Sequence, residues 1–239
     1  MVENLYLNYG NLIGGNIMMI DLDENGSWRY NQRKRVISPD YVCFTNNMCQ
    51  AYGILTQDDD CLKNVMNYHT EFQSVADKLT YFMRFEPMIR EVYKFYFPKE
   101  YNDWIMDKTK DKWFYSNNSY PPNELFKVMC IGFNLFVNMN RGDSYKEVCY
   151  TKNMTIETIK EELNNKRPVV ASFKLGNILG HIMTIKGYDD NNFIVYDTYG
   201  CSFLKDYKNK GNAKLIPFDD FKKLCKPLNE DKKMCVCFN

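Results

Sequence analysis

Residues 180–200 read GHIMTIKGYDDNNFIVYDTYG, and the pattern of this segment predicts two strands and a turn. A first strand with alternating side chains is followed by Asp and Asn at residues 189–192, which favour a turn, and by a second strand that is β-branched and aromatic. We therefore predict a β-hairpin that carries one histidine, His181, and one carboxylate, Asp197. A loop of odd length would place both side chains on one face, whereas a loop of two or four residues would place them on opposite faces.

Upstream of this hairpin, apolar residues at helical spacing predict a helix that begins at or just before Cys43 and fades near Thr56. The apolar stripe consists of Phe44, Met48, Ala51, Tyr52 and Leu55. Pro39 holds the preceding residues out of a helix. Cys43 is therefore predicted to lie at a helix N-terminus.

The remaining elements divide the chain into a mainly helical part, up to about residue 140, and a mainly β part after it. Helices are predicted within 60–106, at 123–141, from the Thr155 cap to 164–165, and at 218–225. Strands are predicted at 12–22 and 27–30, on either side of an Asn-Gly turn, and at 168–173 and 234–238. Loops are predicted at 107–120 and 205–214. The predicted fold class is α+β.

The bulk composition is that of one globular domain of 239 residues, with 45% hydrophobic and 26% charged residues. Its net charge of +1 is spread over interspersed acidic and basic residues, which argues against binding to nucleic acid or to an anionic membrane. The sequence contains no apolar run of the roughly 18 residues that a membrane span requires, and no secretory-signal pattern. We therefore expect a cytoplasmic protein whose nine cysteines are reduced thiols.

Cys43, His181 and Asp197 have the residue types of a nucleophile, a base and an orienting group. Catalysis by cysteine needs the thiolate, which a helix N-terminus and a neighbouring imidazolium both stabilise. Cys43 is predicted to lie at a helix N-terminus, and His181, oriented by Asp197, can supply the imidazolium. The oxyanion formed on attack needs hydrogen-bond donors, and the candidates are the Cys43 backbone N–H and the Gln32 side-chain amide.

Several blocks of the sequence resemble the C39-like cysteine peptidases, a papain-like group found in bacteria and their phages. These blocks are Gln32-Arg33, Pro39 to Cys43, Asn165 to Val170, Gly180 to Asp189, and Ile194 to Asp197 with Gly200. The resemblance implies a two-lobed papain-like fold, with a helical N-terminal lobe that carries the nucleophile and an antiparallel sheet that carries the histidine and aspartate. It implies one domain over residues 1–239, with a helical insertion at about 60–150. It also implies cleavage of a peptide or related amide bond by Cys43, His181, Asp197 and Gln32.

The sequence leaves several alternatives open. Cys49 is a rival nucleophile, although it lies about two turns into the predicted helix, where the dipole effect has decayed. The same residues would serve an acyltransferase, or a papain-like module that has lost activity and binds a peptide or partner protein. Cell-wall peptide, leader peptide, host protein and isopeptide all stay open as substrates, as does the oligomeric state. The Asn-, Lys- and Tyr-rich composition favours an AT-biased bacterium or phage as the source.

No metal or organic cofactor is expected from the sequence. Cys225, Cys235 and Cys237 include a Cys-x-Cys pair, but no second pair stands at ligand spacing, so the zinc signal is weak. We interpret these three cysteines as structural.

Overall fold

The computed structural model describes residues 19–28, 43–57, 94–95, 98–99, 127, 130–135, 137–138, 146–174, 180–199, 204–225 and 234–239. Its strands are β1 (Ile20–Asp21), β2 (Cys149–Asn153), β3 (Val169–Lys174), β4 (Gly180–Tyr188), β5 (Asn192–Tyr196), β6 (Asn209–Lys210), β7 (Ala213–Pro217) and β8 (Met234–Phe238). Its helices are α1 (Cys43–Thr56), α2 (Ile156–Asn164) and α3 (Phe218–Leu224), and residues 130–135 and 137–138 are also helical.

The described strands form one antiparallel sheet in the order β2-β8-β3-β4-β5-β7-β6. β1 pairs with the far end of β4, opposite Gly187 and Tyr188. The predicted hairpin is thus β4 and β5, near the middle of the sheet. The chain is therefore of the α+β class, with an antiparallel sheet and a few helices.

Alternate side chains of the sheet point to two different helical layers. On one face, a buried cluster joins Ile159 and Leu163 of α2 and Phe221 of α3 to strand residues such as Met183 and Val195. On the other face, Ile54 of α1 packs on three strand residues, which are Ile194, Tyr196 and Ala213. The sheet is therefore covered on both sides, and α1, the helix that begins at Cys43, lies on the opposite side from α2 and α3.

A β-bulge at Lys186 interrupts the pairing of β4 with β5, because the register shifts between Ile185 and Gly187. The Lys186 side chain is buried, and its Nζ lies 2.7 Å from Oδ1 of Asp21 on β1. At Gly187 the backbone of β1 comes so close that a Cβ would collide with Ile20 O and would lie 2.9 Å from Asp21 Cα. The bulge therefore joins β1 to β4 through a buried ion pair and a close backbone contact.

The helical residues 130–135 and 137–138 pack beside α1 and hold the start of β2. The Phe133 ring meets those of Tyr52 and Phe238 edge-on, at centroid distances of 5.8 and 6.5 Å. The buried Asn134 amide donates to Cys149 O and accepts from the backbone N–H groups of Val148 and Cys149. One side-chain amide thus provides hydrogen-bond partners for the backbone groups where β2 enters the sheet.

The structure confirms most of the predicted elements that it describes. α1 has the predicted limits, Thr155 caps α2 by accepting from Thr158 N, and β3, the β4–β5 hairpin, α3 and β8 all form. The predicted strand at 27–30 is wrong at residues 27–28, which form a turn. The predicted loop at 205–214 is wrong in part, because it contains β6 and the first two residues of β7. β2 was not predicted. The predicted elements within 60–126 lie almost entirely outside the described residues.

None of the helices in the described ranges is long and apolar enough to cross a bilayer. The seven cysteines in these ranges are all free thiols.

Candidate active site

Cys43 is the first residue of α1, where the backbone N–H groups of a helix lack helical partners. Its side chain is partly exposed, whereas the other described cysteines are buried. The first turn of α1 carries no acidic residue, so no carboxylate within it opposes the positive end of the helix dipole. The site therefore offers a cysteine that is partly exposed and that lies in a region of partial positive charge.

His181 and Asp197 form the hydrogen bond that the hairpin predicts. Nε2 of His181 lies 2.8 Å from Oδ1 of Asp197, and 8% and 0% of these two side chains are exposed. The same oxygen accepts from the backbone N–H of Tyr199 at 2.8 Å. The Tyr199 ring stands edge-on to the imidazole, at a centroid distance of 6.1 Å. The imidazole is therefore fixed by a carboxylate that is itself held by the backbone of the next loop.

The Cys43 thiol lies within hydrogen-bonding reach of the His181 imidazole and raises its pKa. Because Asp197 occupies Nε2, the ring nitrogen available to Cys43 is Nδ1. Burial lowers the pKa of His181, but the hydrogen bonds to Asp197 and Cys43 more than offset it and raise the pKa to about 9. The imidazole therefore holds its proton at neutral pH, which is the state that stabilises a neighbouring thiolate.

The other described thiols lie in surroundings of the opposite kind. Cys49, the rival nucleophile, is completely buried. Burial raises the pKa of Cys149 well above its usual value, and a hydrogen bond to Cys235 together with burial does the same for Cys237. Such thiols stay protonated and react slowly.

The structure brings together three of the four predicted site residues, since Cys43 and Asp197 both contact His181. Gln32 lies outside the described residues. Sequence reasoning missed Asn47, which lies one helical turn after Cys43 and is buried against β4. The sequence did contain a signal for a buried asparagine, because α1 reads CFTNNMCQAYGILT and contains no charged residue. A helix without charges is typically buried on all sides, so its amides need partners inside the protein.

In the ranges that the structure describes, no group of three or more His, Cys, Asp or Glu side chains is arranged to hold a metal ion. Cys235 and Cys237 lie 3.5 Å apart at their sulfur atoms, but they are buried in the sheet. Cys235 Sγ lies 3.5 Å from the backbone oxygen of Lys152.

Comparison with protein families gives an independent result. The model of the Peptidase_C39 like family matches residues 30–215, which include Cys43, His181 and Asp197. The chain belongs to this family. A search of curated proteins found none that matches it. Membership of the C39-like family points to a cysteine peptidase, in agreement with the resemblance of the sequence blocks around Cys43 and His181.

Proposed function

We propose that this C39-like protein is a cysteine peptidase that cleaves a peptide or related amide bond through an acyl-enzyme on Cys43. The observation that supports this most is the chain of contacts from a partly exposed thiol at a helix N-terminus to a protonated imidazole and on to a buried carboxylate. These are the three roles that nucleophilic catalysis by cysteine requires.

In the proposed reaction, the Cys43 thiolate attacks the carbonyl carbon of the scissile bond and forms a tetrahedral oxyanion. The backbone N–H of Cys43 and the Gln32 side chain donate to this oxyanion. The C–N bond then breaks, His181 gives its proton to the departing amine, and a thioester remains on Cys43. Water next attacks the thioester while His181 takes up one of its protons, which releases the carboxylic acid and restores the thiolate–imidazolium pair.

Thiol reactivity tests this proposal without a known substrate. We expect iodoacetamide to alkylate Cys43 faster than any other cysteine at about pH 6.5, well below the pKa of about 8.5 of an unperturbed thiol. Mass spectrometry of the digested protein assigns each adduct to its cysteine. Uniformly slow labelling of all nine cysteines would contradict a catalytic site and favour a module that only binds.

The titration of His181 provides a second prediction. We expect the imidazole to lose its proton at about pH 9, compared with about 6.5 for an ordinary histidine. Because the pKa is raised in the folded state, its stabilising contribution is complete below about pH 6.5 and is lost as the pH rises through about 9. Proton transfer to the amine, and with it kcat/KM, should decline over the same alkaline range.

NMR can measure this directly, because the chain contains only two histidines and the variant His69→Gln assigns both signals. In Asp197→Asn and in Cys43→Ala the midpoint for His181 should move to lower pH, because each variant removes a partner that raises its pKa. A wild-type midpoint at or below about 6.5 would contradict the prediction.

The finer features implied by the family are part of the same proposal. The fold is the two-lobed papain-like one, in a single domain in which residues 60–150 are a helical insertion. The substrate is a peptide or protein, neither nucleic acid nor membrane is a partner, and the protein is cytoplasmic and of bacterial or phage origin.

A further inference from the structure

The buried side chain of Asn47 lies at the point where three parts of the candidate site meet. Its Nδ2 donates to the backbone oxygens of Cys43 and Ile182, each at 2.7 Å, and to Oγ1 of Thr198 at 3.0 Å. Its Oδ1 accepts from Oγ1 of Thr184 at 2.8 Å. The side chain has no exposed surface, so these protein groups take the place of water.

The chemistry of these partners determines the orientation of the Asn47 amide. The oxygens of Cys43 and Ile182 belong to backbone carbonyl groups, which can only accept, so the NH₂ group must face them. A flipped amide would direct Oδ1 at two carbonyl oxygens. Two N–H groups serve three acceptors, so one N–H is shared. The amide is therefore fixed in one orientation by its surroundings.

The partners of Asn47 are neighbours of the three candidate catalytic residues. Cys43 itself supplies one acceptor, Ile182 follows His181 in β4, and Thr198 follows Asp197. We propose that Asn47 is a positioning residue that sets the distance between the nucleophile on α1 and the His181–Asp197 pair on the sheet. This inference rests on the proposed peptidase function.

Asn47 can affect catalysis because the sulfur and the imidazole belong to two different secondary-structure elements. Cys43 is on a helix and His181 is on a strand, so their hydrogen bond depends on how α1 is placed against β4. A displacement of about 1 Å between reacting groups can cost about 100-fold in rate. A thiolate whose imidazolium has moved away also loses its charge partner. Asn47 crosses this helix–strand boundary by direct hydrogen bonds.

The test compares two buried asparagines whose amides hold backbone groups in the same way. Asn47→Ala removes the contacts beside the site, and Asn134→Ala removes those at the start of β2. We expect both variants to lower the melting temperature. Only Asn47→Ala should slow the alkylation of Cys43 by about 10- to 100-fold and move the NMR midpoint of His181 toward lower pH.

The outcomes separate this inference from the proposed function. If wild-type Cys43 shows no selective labelling, the peptidase proposal fails. If wild-type Cys43 labels selectively but Asn47→Ala matches Asn134→Ala in both rate and midpoint, the role of Asn47 is purely structural and the inference is overturned.

A second variant covers the case in which Asn47→Ala does not fold. Thr198→Val keeps the side-chain shape and removes only the hydroxyl that accepts from Asn47. We expect slower alkylation and a lower His181 midpoint in this variant as well, and wild-type values of both would overturn the inference.

Discussion

Cys43→Ala is expected to abolish both the selective alkylation and the cleavage of peptide substrates, with a loss of at least about 10⁴-fold in kcat/KM. The physical reason is that no acyl-enzyme can form without the sulfur, and the remaining oxyanion donors and imidazole cannot replace a nucleophile. The measurement is cleavage of a fluorescently labelled unfolded protein, together with a peptide library analysed by mass spectrometry. Circular dichroism should show that the variant is folded, because the Cys43 side chain is partly exposed and its loss leaves little buried volume empty.

Cys49→Ala is the matched control for this experiment, since it removes a thiol from the same helix. Cys49 is completely buried and lies deeper in α1, so the variant should keep its activity and lose only some stability. Inactivity of Cys49→Ala with full activity of Cys43→Ala would assign the nucleophile to the rival thiol.

Gly187→Ala is expected to lower the free energy of unfolding by about 3 kcal/mol or more. The added methyl group meets the backbone of Ile20 and Asp21, which has no side-chain freedom with which to move aside. Displacing β1 would also pull Asp21 away from the buried Nζ of Lys186, which would then lack its carboxylate. Denaturant unfolding followed by fluorescence measures the change.

Gly211→Ala separates this steric effect from the general cost of replacing a glycine. Gly211 lies in the turn between β6 and β7 with a φ of 55°, and no atom lies within 4 Å of an added Cβ. Its substitution should therefore cost only the backbone strain of a left-handed residue, about 1 kcal/mol. Equal losses of unfolding free energy in the two variants would show that the close approach of β1 to Gly187 does not matter for stability.

The bulge also shows how far the sequence could predict the candidate site. Tyr188 pairs with Phe193, so four residues lie between these two paired residues. With that even number, His181 and Asp197 should have pointed to opposite faces. Their contact forms nonetheless, because the extra residue at Lys186 restores the parity in the rest of the hairpin. The predicted contact is correct, but the loop-length criterion applied to it was wrong. No local signal in β4 marks Lys186 as a bulge, since its partners Asp21 and Tyr196 are distant in sequence.

The strands that sequence analysis missed also depend on partners that are distant in the sequence. β2 reads CYTKN, a short and partly polar segment that is a strand because it pairs with β8. The β6–β7 hairpin had a readable signal, the Gly-Asn pair at 211–212, which the surrounding lysines and asparagines obscured. Elements with strong local patterns, such as α1 and α2, were predicted to within one residue of their limits. Short strands depend on partners that are far away in the chain, and local composition does not identify them.

The place of β8 has a consequence for how the protein is made. Residues 234–238 leave the ribosome after all the other described strands, yet they lie between β2 and β3. A nascent chain therefore has β2 unpaired and one side of β3 open until these residues emerge, and open strand edges are sites of association between chains. During synthesis, β8 is thus the strand that completes the described part of the sheet, and a chaperone that shields these two edges would act in the interval before it emerges.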